Sequence, residues 1–286
     1  MNEIPNTVTD WLRAQGWGEV TGAAPLSGGD ISVVRRLTLS AGRSVVLKTN
    51  ADAPPSFFAD EAEGLSALRV PAGPRVPDVL LVAAVFVLLE DLRPAPPAAD
   101  FWPNLAQQLA ALHRTPHDRF GFAHDNFIGA TPQPNPWTAN GHEFFAEQRL
   151  RFQARLAFDA GHLPAADLAR LERLCAALPE RVPAQPPALL HGDLWRGNVI
   201  CDAQGQPALI DPAAHWGWAE AEIGLTVLFG GFPEAFYDAY TAAFPLAPGW
   251  RERLPIYNLY HLLNHLNLFG GRYWAQVRAV LTGLGA

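Results

Sequence analysis

Cysteine is almost absent: Cys175 and Cys201 are the only two in 286 residues. Cys175 falls in an apolar helical pattern and Cys201 in a strand pattern. The pair therefore reads as buried thiols in a reducing compartment and argues against a disulfide framework. Charge is thin as well. Only 17% of residues are Asp, Glu, Lys or Arg, and the net charge of −7 leaves no basic surface for nucleic acid. No uninterrupted apolar run reaches the ~18 residues that would suggest a membrane span. The first residues, among them Asn2, Glu3 and Asn6, are polar where a secretory leader would be apolar. The reading is a soluble cytoplasmic protein with neither nucleic acid nor membrane among its partners. Internal repeats and long low-complexity tracts are missing too. What the chain does have is apolar residues, 49% of the total, and 26 prolines. That much apolar sequence can bury a sizeable core and fill two domains, while the prolines stiffen loops.

The most informative stretch is His191-Gly-Asp-Leu-Trp-Arg-Gly-Asn198, followed by Leu209-Ile-Asp211. Its spacing, H-x-D-L-x-x-x-N and then a later Asp, is the pattern of a phosphoryl-transfer site. In such a site one carboxylate accepts the proton of an attacking hydroxyl, here Asp193. An amide oxygen and a second carboxylate, here Asn198 and Asp211, hold Mg²⁺ against nucleotide phosphates, because hard cations take oxygen ligands. The small Gly197 would let the backbone run close to metal and phosphates. A plainer reading makes His191-Gly-Asp193 an Asx-turn and Ile210-Asp-Pro212 the end of a strand. The surroundings argue against it. The apolar stretch Ala188–Leu190 leads in, Val199–Cys201 follows Asn198, and Asp202-Ala-Gln-Gly205 reads as a hairpin turn before Ala208–Ile210. Loop, hairpin and acidic residue in that order are hard to reach by accident.

Upstream, Thr7 to Gln15 reads as a short packing helix with Val8, Trp11 and Leu12 on one face and Gly16 as its stop. Leu26-Ser-Gly-Gly-Asp-Ile-Ser32 precedes a strand-like run, Val33 to Leu39. Gly28, Gly29 and Asp30 could form a turn offering backbone N–H groups to phosphates, or a plain hairpin turn; no G-K-[ST] follows, so it is not a Walker A loop. Val45-Val-Leu-Lys48 is a strand ending in lysine. A helix over Ser56 to Leu68 follows, carrying Glu61 and Glu63. A lysine that grips nucleotide phosphates needs a carboxylate to orient it. Glu61 is the favoured partner and Glu63 the second choice; about 200° separates them on a helix, so only one can face the lysine. Val79 to Leu89 reads as a pair of buried strands. Glu90, Asp91 and Leu92 then mark a crossing whose backbone could meet an adenine edge, or simply a Pro-rich linker. The domain boundary is placed there, giving 1–92 and 93–286.

Beyond the crossing the pattern turns helical. Phe101, Leu105, Leu109 and Leu112 form one stripe ending at His113, and neither His113 nor His117 has the company of a metal site. Phe120 to Pro136 reads as a long loop. Asp125, Asn126, Gln133 and Asn135 in it suit a polyhydroxy substrate, although Asx-turns and proline-set bends account for the same residues. Helices follow over His142 to Ala160 and Pro164 to Leu178; after Asp211 come the segments Glu220 to Phe229 and Ala235 to Phe244, and then a helix over Tyr257 to Phe269. His261 and His265 stand at i, i+4 in the last of these and read as core or cleft residues more readily than as metal ligands. Trp195, Trp216 and Trp218 could be platforms for a sugar or ordinary core.

With these segments laid out, the chain resembles the fructosamine/ketosamine 3-kinase family, within the aminoglycoside-phosphotransferase-like kinases. The resemblance runs from about Thr7 to Gln276. It rests on Asp125-Asn-Phe-Ile-Gly-Ala-Thr-Pro-Gln-Pro-Asn135, His191 to Asn198, Asp211-Pro-Ala213, Leu228-Phe-Gly-Gly-Phe-Pro-Glu-Ala-Phe-Tyr-Asp-Ala-Tyr240 and Leu259-Tyr-His-Leu-Leu-Asn264. It implies an α+β, two-lobed protein-kinase-like fold: a small N-terminal antiparallel sheet with a helix, and a larger, mostly helical C-terminal lobe. It also implies ATP and Mg²⁺, and phosphorylation of the 3-hydroxyl of a free or protein-bound ketosamine. The phosphorylated product is unstable and falls away, so the activity is a deglycating repair. Carried over, Asp193 is the proton acceptor, Asn198 and Asp211 hold metal, Lys48 and Glu61 orient phosphates, and Glu90 to Leu92 border adenine. Asp30 stands where several relatives have Cys, so a thiol switch in that loop is unsupported. His215-Trp-Gly-Trp218 departs from the family's aromatic-aromatic-Gly-His pattern, which bears on the acceptor site; Trp195, Asp125, Gln133 and His215 are its candidates. Two other readings stay open, a phosphotransferase for an aminoglycoside or amino alcohol and a catalytically silent nucleotide-binding protein.

Overall fold

The computed structural model describes residues 4–26 and 31–285. Gly28, Gly29 and Asp30, assigned above to a phosphate-covering turn, lie outside the described residues. Five antiparallel strands form one sheet in the order β1-β2-β3-β5-β4. They are β1 (Val20–Pro25), β2 (Val33–Leu39), β3 (Ser44–Thr49), β4 (Val79–Ala83) and β5 (Phe86–Glu90). Side chains alternate across a strand, so the sheet has two different faces. Leu37, Leu39, Val45, Leu47, Phe86 and Leu88 pack on helix α1 (Asn6–Ala14) through Val8 and Leu12. Val87 and Leu89 face the other way, with Val46 beside them, onto α2 (Phe57–Ala67) and the rest of the chain. Lys48 shares parity with Val46, and this alternation points it into the molecule.

After β5 the backbone crosses without regular structure to α3 (Phe101–His113). The crossing is pinned to a hairpin, with Ala95 N–H donating to Asp202 O (3.1 Å) and Ala98 N–H to Gly205 O (3.0 Å). That hairpin is β9 (Val199–Cys201) with β10 (Pro207–Leu209), as its turn residues suggest. The rest is largely helical: α4 (Gly141–Phe144), a π-helical stretch Phe145–Arg151, α5 (Phe152–Asp159), α6 (Ala165–Ala176), α7 (Leu178–Arg181), α8 (Ala219–Leu228), α9 (Glu234–Ala243), α10 (Trp250–Phe269) and α11 (Trp274–Gly283). The sequence places the start of α10 seven residues late, at Tyr257, because Pro255 interrupts the pattern; the structure keeps Pro255 inside the helix. Two ladders also escape the sequence. Asn126–Ile128 (β6) pairs with Thr131–Gln133 (β7) inside the expected loop, and Ala188–Leu190 (β8) pairs with His215–Gly217 (β11). Both are three-residue ladders, too short to show a period.

One apolar cluster joins the two parts of the molecule. Phe58 and Leu65 of α2 and Leu89 of β5 meet Leu105 and Leu109 of α3, Val199, Leu209, Ile223 and Phe236. Helix α2 therefore belongs as much to the helical part as to the sheet. Among the described residues no helix is long and apolar enough to cross a membrane.

Candidate active site

Strand β8 delivers the chain into the loop at His191, and the buried carboxylate of Glu222 on α8 fixes that loop. His191 N–H donates to Glu222 Oε2 (2.9 Å) and Gly192 N–H to Oε1 (2.7 Å). His113 Nε2 lies 3.0 Å from the same carboxylate, and its Nδ1 lies 2.7 Å from the Tyr240 hydroxyl. Burial works against ionisation of Glu222, but the His113 ring and the Gly192 N–H outweigh it and hold the carboxyl below its ordinary range. Gly192 has φ +83°, and a Cβ there would stand 2.0 Å from Ala213 O, so no side chain is tolerated. His191 Nε2–H donates to Ile210 O (2.9 Å), which makes Nδ1 the acceptor of Asp193 N–H (3.2 Å). One imidazole thus ties the start of the loop to the strand end before Asp211.

Asn198 closes the loop. Its amide Nδ2 donates to Asp193 O (2.8 Å) and Asp193 Oδ2 (3.0 Å). That orients its Oδ1 away from Asp193, as an acceptor for something else. Asp211 has φ +58°. Its Oδ1 accepts from Lys48 Nζ at 2.7 Å, and the same ammonium donates to Glu61 Oε1 at 2.7 Å. Lys48, Glu61, Asp193, Asn198 and Asp211 all line one cleft of about 470 Å³. Burial alone would lower the Lys48 ammonium, yet Asp211 and Glu61 more than compensate and raise it. Burial pushes the Glu61 carboxyl up, with Lys48 pulling back. Asp193 is pushed up to about 7, first by burial and then by the Asp211 carboxylate.

The donor set fits a divalent cation of the magnesium type. Asn198 Oδ1 and the Asp211 carboxylate are hard oxygens. Among the described residues no group of three or more His, Cys, Asp or Glu could hold a metal alone. Such an ion would complete its shell with phosphate and water oxygens, as magnesium usually does.

Other sequence candidates fall elsewhere. Glu63 Oε2 lies 3.1 Å from His124 Nε2, which leaves Glu61 as the partner of Lys48. Trp195 borders the cleft, 39% exposed. A Cβ at Gly197 would stand 2.4 Å from the outer edge of the Trp195 ring. The Glu90 side chain bonds Arg75 (2.6 Å) and its N–H donates to Asp78 O (2.8 Å). Asp91 holds Arg36 (2.7 Å) and Ser44 (2.6 Å), and Leu92 is buried.

Three candidates for the acceptor site do not line this cleft. Asp125 Oδ1 accepts from Asn135 N–H at 2.7 Å and braces its own loop. Gln133 is 1% exposed and bonded on every side. His215 is buried, its Nδ1–H donating to Ala213 O (3.0 Å); burial and the nearby Arg149 keep it neutral. Where the sequence suggested a polyhydroxy site, the structure has a frame. The far wall of the cleft comes instead from Asn126–Gly129 and from Phe229, His265, Phe269, Arg272 and Tyr273. His265 Nδ1–H donates to His261 O (2.8 Å), and its ring lies against Phe229 and Tyr273 (4.7 and 5.1 Å between centroids). Sequence reading offered Asn126 and, as a core or cleft residue, His265, but neither the rest of this wall nor Glu222. An acid inside the apolar run of α8 was the one available signal for Glu222.

A strand lysine paired to a helix carboxylate, opposite a loop carrying Asp193 and Asn198 with Asp211 behind it, defines an ATP-dependent phosphotransferase of the protein-kinase-like fold. The fructosamine kinase family profile matches residues 5–284. The chain belongs to that family. A "probable ketoamine kinase" of Vibrio parahaemolyticus is 41% identical over 272 residues, covering 92% of each chain. The chloroplastic protein-ribulosamine 3-kinase of Arabidopsis thaliana is 34% identical over 98% of this chain and 87% of that one. A crystal structure of a candidate fructosamine-3-kinase from Thermobifida fusca superposes with a TM-score of 0.88 at 34% identity, covering 99% of this chain and 100% of the other.

Proposed function

We propose that this enzyme transfers the γ-phosphoryl group of ATP to the 3-hydroxyl of a ketosamine: a fructosamine, ribulosamine or erythrulosamine on a free or protein-bound amine. The observation behind this is the meeting of Lys48, Glu61 and Asp211 with the Asp193–Asn198 pair in one cleft, in a chain whose relatives are described as ketoamine and ribulosamine kinases. Asp193 accepts the proton as the sugar oxygen bonds to phosphorus, and the bond from phosphorus to the bridging oxygen of ADP breaks. A carboxyl lifted to about 7 suits that task near neutral pH. Lys48, oriented by Glu61, holds the α- and β-phosphates. Asn198 Oδ1 and Asp211 hold Mg²⁺, which neutralises charge developing on the phosphoryl oxygens. Trp195 offers a ring face to the acceptor sugar. The peptide groups of Glu90 to Leu92 border the adenine, and the lobes divide at 92/93. The resulting ketosamine 3-phosphate decomposes and frees the amine, which makes the activity a cytoplasmic repair of glycation.

ATP consumption against ribulosyl-, erythrulosyl- and fructosyl-lysine, with product phosphate located by ³¹P NMR, tests the proposal. ADP formation coupled to a sugar 3-phosphate is expected. Turnover with an aminoglycoside or amino alcohol and none with any ketosamine overturns the acceptor. Tight nucleotide binding without turnover on any acceptor overturns the enzyme reading altogether.

A further inference from the structure

The amide-rich segment from Asp125 to Asn135 lends Asn126–Gly129 to the cleft wall, and its amide side chains end on the backbone just beyond Asp211. Gln133 Nε2 donates to Ala213 O (3.1 Å) and to Asn126 Oδ1 (2.7 Å). Asn126 Nδ2 donates to Ala214 O (2.9 Å). A carbonyl can only accept, so these contacts fix which end of each amide faces the 213–214 backbone. The opposite ends are held as well. Tyr260 O–H donates to Gln133 Oε1 (2.5 Å), and Asn135 Nδ2 donates to Asn126 Oδ1 (2.9 Å). Arg149 Nη2 donates to Asn135 Oδ1 (2.7 Å). None of Asn126, Gln133, Asn135 and Arg149 is more than 4% exposed. Together they make a rigid strut from the helical core to the segment that carries Asp211.

Asp211 needs such a strut. It holds φ +58°, a conformation that a residue with a side chain keeps only when its surroundings impose it. On one side His191 fixes the segment, through Ile210 O and through the Ala213 N–H bond to His191 O (2.9 Å). On the other side Gln133 and Asn126 hold the carbonyls of Ala213 and Ala214, with His215 Nδ1–H also donating to Ala213 O (3.0 Å).

We infer that Gln133 and Asn126 are positioning residues which set the metal affinity of the site by fixing the backbone of Asp211. The inference rests on the proposed role of Asp211 as a metal ligand, but not on the identity of the acceptor. Asn126→Asp removes the donor to Ala214 O, and Gln133→Met removes the donor to Ala213 O at similar size.

The test is a Mn²⁺ titration followed by EPR, on the full chain saturated with a non-hydrolysable ATP analogue. Both variants are expected to weaken Mn²⁺ about tenfold, the loss typical when a group that orients a metal ligand is removed. Half-maximal Mg²⁺ for turnover should rise in parallel, while acceptor KM at saturating Mg²⁺ stays within about twofold for Gln133→Met, whose side chain does not line the cleft. Leu281→Ala, in a buried position of α11, controls for general loosening and should lower Tm without moving Mn²⁺ affinity. Asn126→Asp and Gln133→Met that lower Tm yet bind Mn²⁺ like the parent overturn the inference. Unchanged Mn²⁺ binding in Asp211→Asn overturns it together with the metal role of Asp211. Tight Mn²⁺ binding with no turnover on any ketosamine would remove the acceptor assignment and leave this inference standing.

Discussion

Lys48 and Arg149 are the two buried cationic side chains among the described residues, and their surroundings could hardly differ more. Lys48 stands between two carboxylates, each 2.7 Å from its ammonium, at the wall of an open cleft. Arg149 has no carboxylate in contact among the described residues. It donates to Pro134 O, Gln148 O and Asn135 Oδ1 at 2.7 to 3.1 Å, and its guanidinium covers the Phe144 and Tyr260 rings (4.5 and 5.5 Å). Their acidities move in opposite directions. The carboxylates raise Lys48 against the effect of burial, whereas burial lowers Arg149 to about 10. Paired charge at a cleft can be re-partnered by an incoming anion; charge solvated by carbonyls and ring faces has nowhere to go and serves the framework. The comparison separates residues proposed to act on substrate from residues that hold them.

Activity should break the comparison first. Asp193→Ala, beside the Lys48 pair, is expected to lower kcat on the order of 10²-fold or more while leaving ATP affinity within about twofold. Lys48→Met should instead act mainly through KM for ATP. Steady-state kinetics on a ribulosyl-lysine substrate distinguish the two, and a fully active Asp193→Ala variant would remove that residue from the proton-accepting role. Stability should respond the other way round. Arg149→Met leaves Asn135 Oδ1 and Pro134 O buried without donors and should cost on the order of 3 kcal/mol in urea unfolding. Lys48→Met should cost only about 1 kcal/mol, because the carboxylates it strands border the cleft and can hydrate or protonate. Equal losses at the two positions would erase the distinction.

That distinction also marks how much the sequence could tell. The Asp193–Asn198 loop, its hairpin and Asp211 are legible because a short loop fixes their relative placement within a few residues of chain. Lys48 and Glu61 are legible because strand parity and helical period leave one arrangement open. The far wall of the cleft is less so, since Phe229 and His265 reach it from segments far along the chain. That Asp125, Gln133 and His215 bond to the framework and not along the cleft was hidden for a related reason. A polar side chain reads the same in sequence whether it faces a sugar or a backbone carbonyl. Only the register of three-residue ladders such as β6–β7, which carry no periodic signal, decides which it meets.

Lys48 is the only lysine in the chain, so amine-directed chemistry can sharpen the electrostatic half of the comparison. Glu61 and Asp211 together hold its ammonium protonated and covered. Glu61→Gln removes one of these charges. Acylation of the peptide spanning residues 44–49, followed by mass spectrometry, should run about tenfold faster in that variant for each pK unit by which Lys48 falls. An Arg149→Lys variant gives the contrast, since a lysine enclosed there stays unlabelled until the fold opens. Equal labelling of Lys48 with and without Glu61 would mean that burial alone protects it.

The smallest expected effect concerns the acid side of the same cleft. Asp193 has its ordinary value of 3.8 in the unfolded chain and about 7 in the folded one. Between those values the folded state keeps a proton that the unfolded state has lost, so this group's contribution to stability falls as pH rises through that window. In the metal-free protein, held in chelator, Tm should therefore carry a downward contribution from about pH 4 to 7. Asp193→Asn should remove it, and Asp211→Asn should shrink it by taking away the neighbouring charge. Burial is the larger cause and survives the second change, so the Asp211→Asn slope should lie between the other two. If Asp193→Asn leaves the pH profile of Tm unchanged, Asp193 is already ionised in the resting site. Its readiness to accept a proton would then have to come from the bound nucleotide complex rather than from the fold.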